Sequence, residues 1–343
     1  MDRISRVALF IILISLSISS HGQGFNVPSK DWGIGFGNST RFTGLRFNFI
    51  DRNIEEVKGI NFTVWYDKNF EDHTGSFKGI GIGLPMAAGT KYRYGLSLGI
   101  FGVGASNDLA GLNLGGLGVG AGQNVAGFNI GGLAVGAGKN VAGLNVGGLA
   151  VGSGEKITGL NAGGLALGSG GDIAGFNFGG LAVGAGDDIQ GISLSLLVVG
   201  SGGSIQGISV AGLVVGAGES MTGINVGGLA VGSGESVTGI SLSALGIGSP
   251  EIKGLSAALA VGGAKVTGFS LAPAYFRIEG ESGFMKGVSI SAFNHIQGSQ
   301  NGLAIGIFNY TSEINGLQIG LLNYVRGNRK GTRLLPLFNS RFN

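Results

Sequence analysis

Three aspartates, Asp172, Asp187 and Asp188, are the densest group of ionisable side chains in the middle of this chain. Carboxylates brought together from neighbouring turns could hold calcium, which takes six or more oxygen ligands. That makes them the candidate metal residues, although a charged turn facing water explains them equally well. The histidines are His21, His73 and His295. His73 stands beside Glu71 and Asp72, a candidate acid-base or metal group against the alternative of a solvated loop. No histidine falls between residues 109 and 251 to activate one of the many serines there, so a Ser-His-Asp arrangement has no base. Gly138-Lys139 is followed by Asn140 where a phosphate-binding loop needs Ser or Thr. Cysteine is absent, which excludes thiolate chemistry, disulfides and thiolate metal sites. No cofactor, catalytic residue or enzymatic activity is expected.

The elements that position these residues repeat. Copies beginning at Phe77, Arg93, Leu109, Val125, Val141 and onward to Val237 follow one another at a spacing of 16 residues. Taking Val141 as position 1 of VAGLNVGGLAVGSGEK, apolar residues fill positions 1, 4, 6, 9 and 11, and glycines fill 3, 7, 8, 12 and 14. The alternation at 4 to 6 and at 9 to 11 marks two short strands, and the glycine pairs mark bends between them. A helix is excluded, because each interior glycine would cost about 1 kcal/mol and no helical period is present. The pattern predicts an all-β repeat fold, a β-solenoid of about 16-residue coils, with the apolar columns filling its interior. Position 5, Asn or Ser from Asn113 to Ser241, is expected to form an outward ladder of amides. The alternative fold is an antiparallel β-barrel or β-meander of outer-membrane type, favoured by aromatics in the flanks and by the penultimate Phe342.

Residues 1–22 read as an export signal: basic Arg3 and Arg6, an apolar run at 7–18, and Ser20-His21-Gly22 as a cleavage site. Residues 23–343 then form a single repeat domain, with irregular repeats at 42–92, the regular array at 93–251 and irregular repeats again at 252–343. Lys+Arg 22 against Asp+Glu 19, with no basic run, argues against nucleic acid as a partner. Position 10, mostly Gly or Ala, would give a flat face suited to self-association or to another envelope component.

The units GLAIGIFNY (302–310) and GLQIGLLNY (316–324), with the closing LPLFN, resemble the bacterial surface repeat-containing family of leptospiral-type GLxIGLxNY repeats, in a Bacteroidetes-like version. TGLRFNFIDRNIEEVKGINFTVW (43–65) is similar to that family's opening units. The central array departs toward a smaller, more glycine-rich unit. The resemblance implies export and an outer-membrane or cell-surface setting, and it brings no activity and no catalytic residues. The function expected of such a chain is a structural or adhesion-like one, the alternative being an outer-membrane β-barrel that forms a pore or an anchor.

Overall fold

The computed structural model describes residues 24–67 and 73–342. The expected export signal lies outside the described residues, as do Glu71 and Asp72. The fold is a β-solenoid of coils of about 16 residues, and among the described residues there is no α-helix. Each coil holds a long strand, a bend, a short strand and a second bend. Asn140–Gly147 and Ala150–Ser153 are followed by Lys156–Gly163 and Ala166–Ser169. Like residues stack on like in parallel register, Val141 on Ile157, Gly143 on Gly159, Asn145 on Asn161 and Val151 on Leu167. Parallel stacking at constant register overturns the barrel and meander alternative, whose hairpin-joined neighbours run in opposite directions. Among the described residues, antiparallel pairing is confined to the first and last strands. Phe25–Pro28 pairs with Trp32–Phe36, and Leu334–Arg341 folds back on residues 316–324. These short strands cover sheet edges that would otherwise offer unpaired backbone to another chain.

The chain divides into two compact units, residues 1–139 and 140–343. In the second, positions 1 and 11 face inward, as expected: Val141, Ile157, Val151 and Leu167 are each at most 1% exposed. Position 5 contradicts the expectation. Asn145, Asn161 and Asn177 are buried, while the apolar positions 4, 6 and 9 lie on the outside. The reason is parity combined with a narrow interior. Positions 1, 5 and 7 share one face of the long strand, and 4 and 6 share the other. At position 7 the two layers nearly touch, since a Cβ on Gly163 would lie 2.0 Å from the Ala166 carbonyl oxygen. The face with glycine and asparagine fits that gap, and a row of Leu, Ile and Phe does not.

Burying amides costs little here because the stacking satisfies them. Asn145 Nδ2 donates to Asn161 Oδ1 at 2.8 Å, and Asn161 Nδ2 donates to Asn177 Oδ1 at 3.0 Å. The first unit has the same contact from Asn113 to Asn129 at 2.7 Å. In the last coils the position-11 column itself changes from Val261 and Phe276 to amides. There Asn294 donates to Asn309 and Asn309 to Asn323, both at 2.7 Å. Glycine at position 3 is dictated by the same stacking. Gly159 has φ +106°, and a Cβ there would stand 2.1 Å from the carbonyl oxygen of Gly143 one coil below.

The first unit departs from the array in its early coils. At position 5 Arg46 is fully buried, and its Nη1 meets Asp51 Oδ1 at 2.6 Å. Asp51 also accepts from Asn48 Nδ2 at 2.8 Å and, on its other oxygen, from Asn61 Nδ2 and Thr63 Oγ1 at 2.9 Å each. Arg93 occupies position 1. Its guanidinium lies 4.5 Å from the Phe77 ring centre, its Nε donates to Ser97 Oγ at 3.0 Å, and it takes the space a side chain at Gly81 would need. Burial pushes Arg93 down to about 10, opposed by the Asp51 carboxylate, so it stays protonated at neutral pH.

Candidate interaction surface

The three candidate aspartates lie on the charged bend of the second unit. Asp172 Oδ2 pairs with Lys156 Nζ at 3.1 Å, and Asp172 Oδ1 accepts from the Asp188 backbone amide at 3.4 Å. Hydrogen bonding to Lys156 holds Asp172 below the usual carboxylate range. Asp188 Oδ1 in turn accepts from the Ser204 amide at 2.8 Å. Two of the carboxylates therefore cap the backbone of the next bend. Among the described residues no three His, Asp or Glu side chains are grouped to hold a metal ion.

The histidines fall apart in the same way. His73 is buried and lines a groove of the first unit, while its sequence neighbours Glu71 and Asp72 are outside the described residues. His295, in the second unit, shares a hydrogen bond of 2.9 Å between its Nδ1 and the Tyr275 hydroxyl. It also packs on Phe293 and Tyr310. Burial, with Arg277 nearby, pushes its pKa down.

What the fold does assemble is apolar surface. In the seven coils from Val141 to Ile247, position 4 is Leu, Phe or Ile, position 6 is Val, Ala, Phe or Leu, and position 9 is always Leu. All three rows face outward. Leu160 is 56% exposed, Phe178 41%, and the leucine row from Leu149 to Leu245 runs between 39% and 53%. Position 2, on the same face as 4 and 6, carries Thr158, Gln190, Gln206, Thr222 and Thr238, so the long-strand face grades from polar to apolar along each strand. The short-strand face grades the same way, from Leu at 9 through Ala, Val or Gly at 10 and Gly at 12 to the charged bend. Each coil is thus amphipathic in cross-section, with a leucine corner opposite a charged edge.

Two shallow grooves run over short strands, floored by small residues. In the first unit a groove of about 1070 Å³ is lined by Gly102, Gly118, Gly120, Phe101, Leu117 and Lys91. In the second, one of about 470 Å³ crosses Gly216, Gly232 and Gly248 and reaches Tyr275 and Arg277. The face expected to be flat from its small residues at position 10 is thus hollowed, with glycines of position 12 helping to floor both grooves. The outward rows were missed by sequence reasoning, though their signal was present: apolar residues occupy both parities of one strand, and a two-layer coil buries only one of them.

No family model, curated protein or solved structure matches the chain.

Proposed function

We propose that this is an exported, non-enzymatic β-solenoid of the bacterial envelope or cell surface, acting as a structural or adhesion-like interaction element. The observation that supports the reading is the amphipathic cross-section. Fixed polar groups are spent on the scaffold itself, as capping carboxylates and buried amide ladders, and the surface left for partners is a periodic apolar one. The resemblance of the flanking units to bacterial surface repeats and the signal-like first 22 residues support export. The test is to fractionate cells expressing the full chain and sequence the N-terminus of the product. The expected result is a chain beginning at Gln23 in the envelope fraction or outside the cell. An unprocessed chain in the cytoplasm would overturn the reading.

A further inference from the structure

We propose that the second unit binds a lipid bilayer laterally, with its leucine corner and the adjoining half of the long-strand face in the acyl region and its charged bend in water. The envelope reading bears only on which bilayer the protein meets. The binding itself is argued from the surface.

Seven coils at about 4.8 Å each make the three rows roughly 34 Å long. With a width of roughly 17 Å they expose on the order of 600 Å² of apolar surface, the upper end of what soluble monomers leave bare. Rows 4 and 6 continue beyond these coils to Leu317 and Ile319.

Two features separate lipid from a second copy of the chain. Size varies along row 6 without pattern, Ala162 beside Phe178 on the next coil and Val226 beside Leu242, while polarity never varies. A solid partner packed at protein density needs matched shapes, and a fluid hydrocarbon needs only apolarity. The leucine row also stands at the convex bend between the layers. A flat sheet laid on the long-strand face would leave it bare, whereas lipid covers face and corner together.

Hydrocarbon admits only chain whose amides and carbonyls are satisfied internally. At the apolar bend the coils bond to one another along the axis. Gly164 donates to Gly147 at 3.0 Å, Leu165 to Leu149 at 2.7 Å, Leu181 to Leu165 at 2.6 Å and Leu229 to Leu213 at 2.7 Å. The Thr and Gln of position 2 then fall at headgroup depth, where their polar tips meet water. Charges at the far edge are mostly acidic, Glu155, Asp172, Asp187, Asp188, Glu219 and Glu235 against Lys156, so binding draws nothing from anionic headgroups, neutral lipid suffices and salt has little effect.

The absence of cysteine permits single-label experiments on the full chain. Leu213→Cys at the corner and Glu235→Cys at the charged bend are each labelled with an environment-sensitive fluorophore and mixed with neutral phosphatidylcholine vesicles. The corner label is expected to shift to the blue and to lose access to an aqueous quencher by about tenfold, with the bend label unchanged and the result preserved in about 0.5 M salt. The triple variant Leu181→Lys, Leu213→Lys, Leu229→Lys changes only outward side chains. It should keep its circular dichroism and float with vesicles at least about tenfold less. Two labels that respond alike would mean attachment through another part of the chain and would overturn the proposal. So would a corner label shielded without vesicles in a species that dilutes to monomer, which would assign the surface to a second copy. A cytoplasmic chain whose corner label still enters vesicles would sink the envelope reading and leave this one standing.

Discussion

The interior of the coils from Val141 to Ile247 and the interior of the coils from Phe42 to Ser97 both bury polar side chains among apolar ones, by opposite means. In the former, a neutral amide recurs and passes donor to acceptor between like residues, from Asn145 through Asn161 to Asn177, before serines interrupt it. In the latter, Arg46, Asp51 and Arg93 are buried charges that depend on one another and on Asn48, Asn61 and Thr63. A ladder is repairable, because removing one rung leaves neighbours of the same kind. A charge cluster has a single keystone, and here it is Asp51, whose two oxygens take four donors.

The comparison makes its largest prediction there. Asp51→Ala leaves Arg46 buried with no counterion and removes the charge that favours protonated Arg93, so the first unit should lose about 3–5 kcal/mol, read from the shift of its urea midpoint. A smaller loss is expected from one rung of the array. Asn161→Ala takes the acceptor from Asn145 Nδ2 and the donor from Asn177 Oδ1. Both abandoned groups are neutral and fall at the low end of about 1–3 kcal/mol each, so the second unit should lose about 2 kcal/mol. If Asn161→Ala proved as costly as Asp51→Ala, the distinction between ladder and keystone would fail.

Much of the ladder's architecture was legible in the sequence, and its sidedness was not. The 16-residue period, the bends and the stacking of Gly143, Gly159 and Gly175 follow from constant spacing, since one inserted residue would break every column. The usual rule that apolar residues go inside gave no answer for VAGLNVGG, because Val141 and Leu144 lie on opposite parities of one strand. Glycine at position 7 decides which face is inside, through a contact with the short strand that only the folded coil contains. Arg46 and Arg93 were visible as charges at register positions 5 and 1, but their meaning depends on knowing that those positions face inward. The acidic line was legible as a line. Its work as a cap for the next bend depends on the bend's geometry.

The ladder also has a weak stretch that sharpens the comparison. Where serine replaces asparagine the ladder thins: Ser193 Oγ still accepts from Asn177 Nδ2, at 3.5 Å, but Ser209 and Ser241 do not bridge neighbouring coils. Buried Asn225 has neither amide atom partnered, and the Ser209 and Ser241 hydroxyls lack partners too. Ser209→Asn should restore a donor to Asn225 Oδ1 and raise the stability of the second unit by about 0.5–1.5 kcal/mol, measured by the same urea titration. A stabilising polar substitution in a core is expected only of a periodic interior. The equivalent change at Arg46 has no neighbour of its own kind to join.

The smallest effect concerns pH. The array's interior from Val141 to Ile247 has no titratable side chain, and the second unit's histidine is His295, beside the aromatic rows of the last coils. Its pKa is lowered from 6.5, first by burial and then by Arg277. A lowered histidine pKa means that, as pH falls below 6.5, the unfolded chain takes up a proton before the folded one does, so stability is lost with acidification through that window. Once protonated, Nδ1 can only donate, so the Tyr275 hydroxyl must accept from it. The second unit should therefore melt slightly lower at about pH 5 than at about pH 7.5, and His295→Phe, which keeps an aromatic ring over Phe293, should flatten that difference. Because His295 is partly solvated the change is a small one. An undiminished acid sensitivity in His295→Phe would move the titrating group out of the last coils and onto the carboxylates of the charged bend.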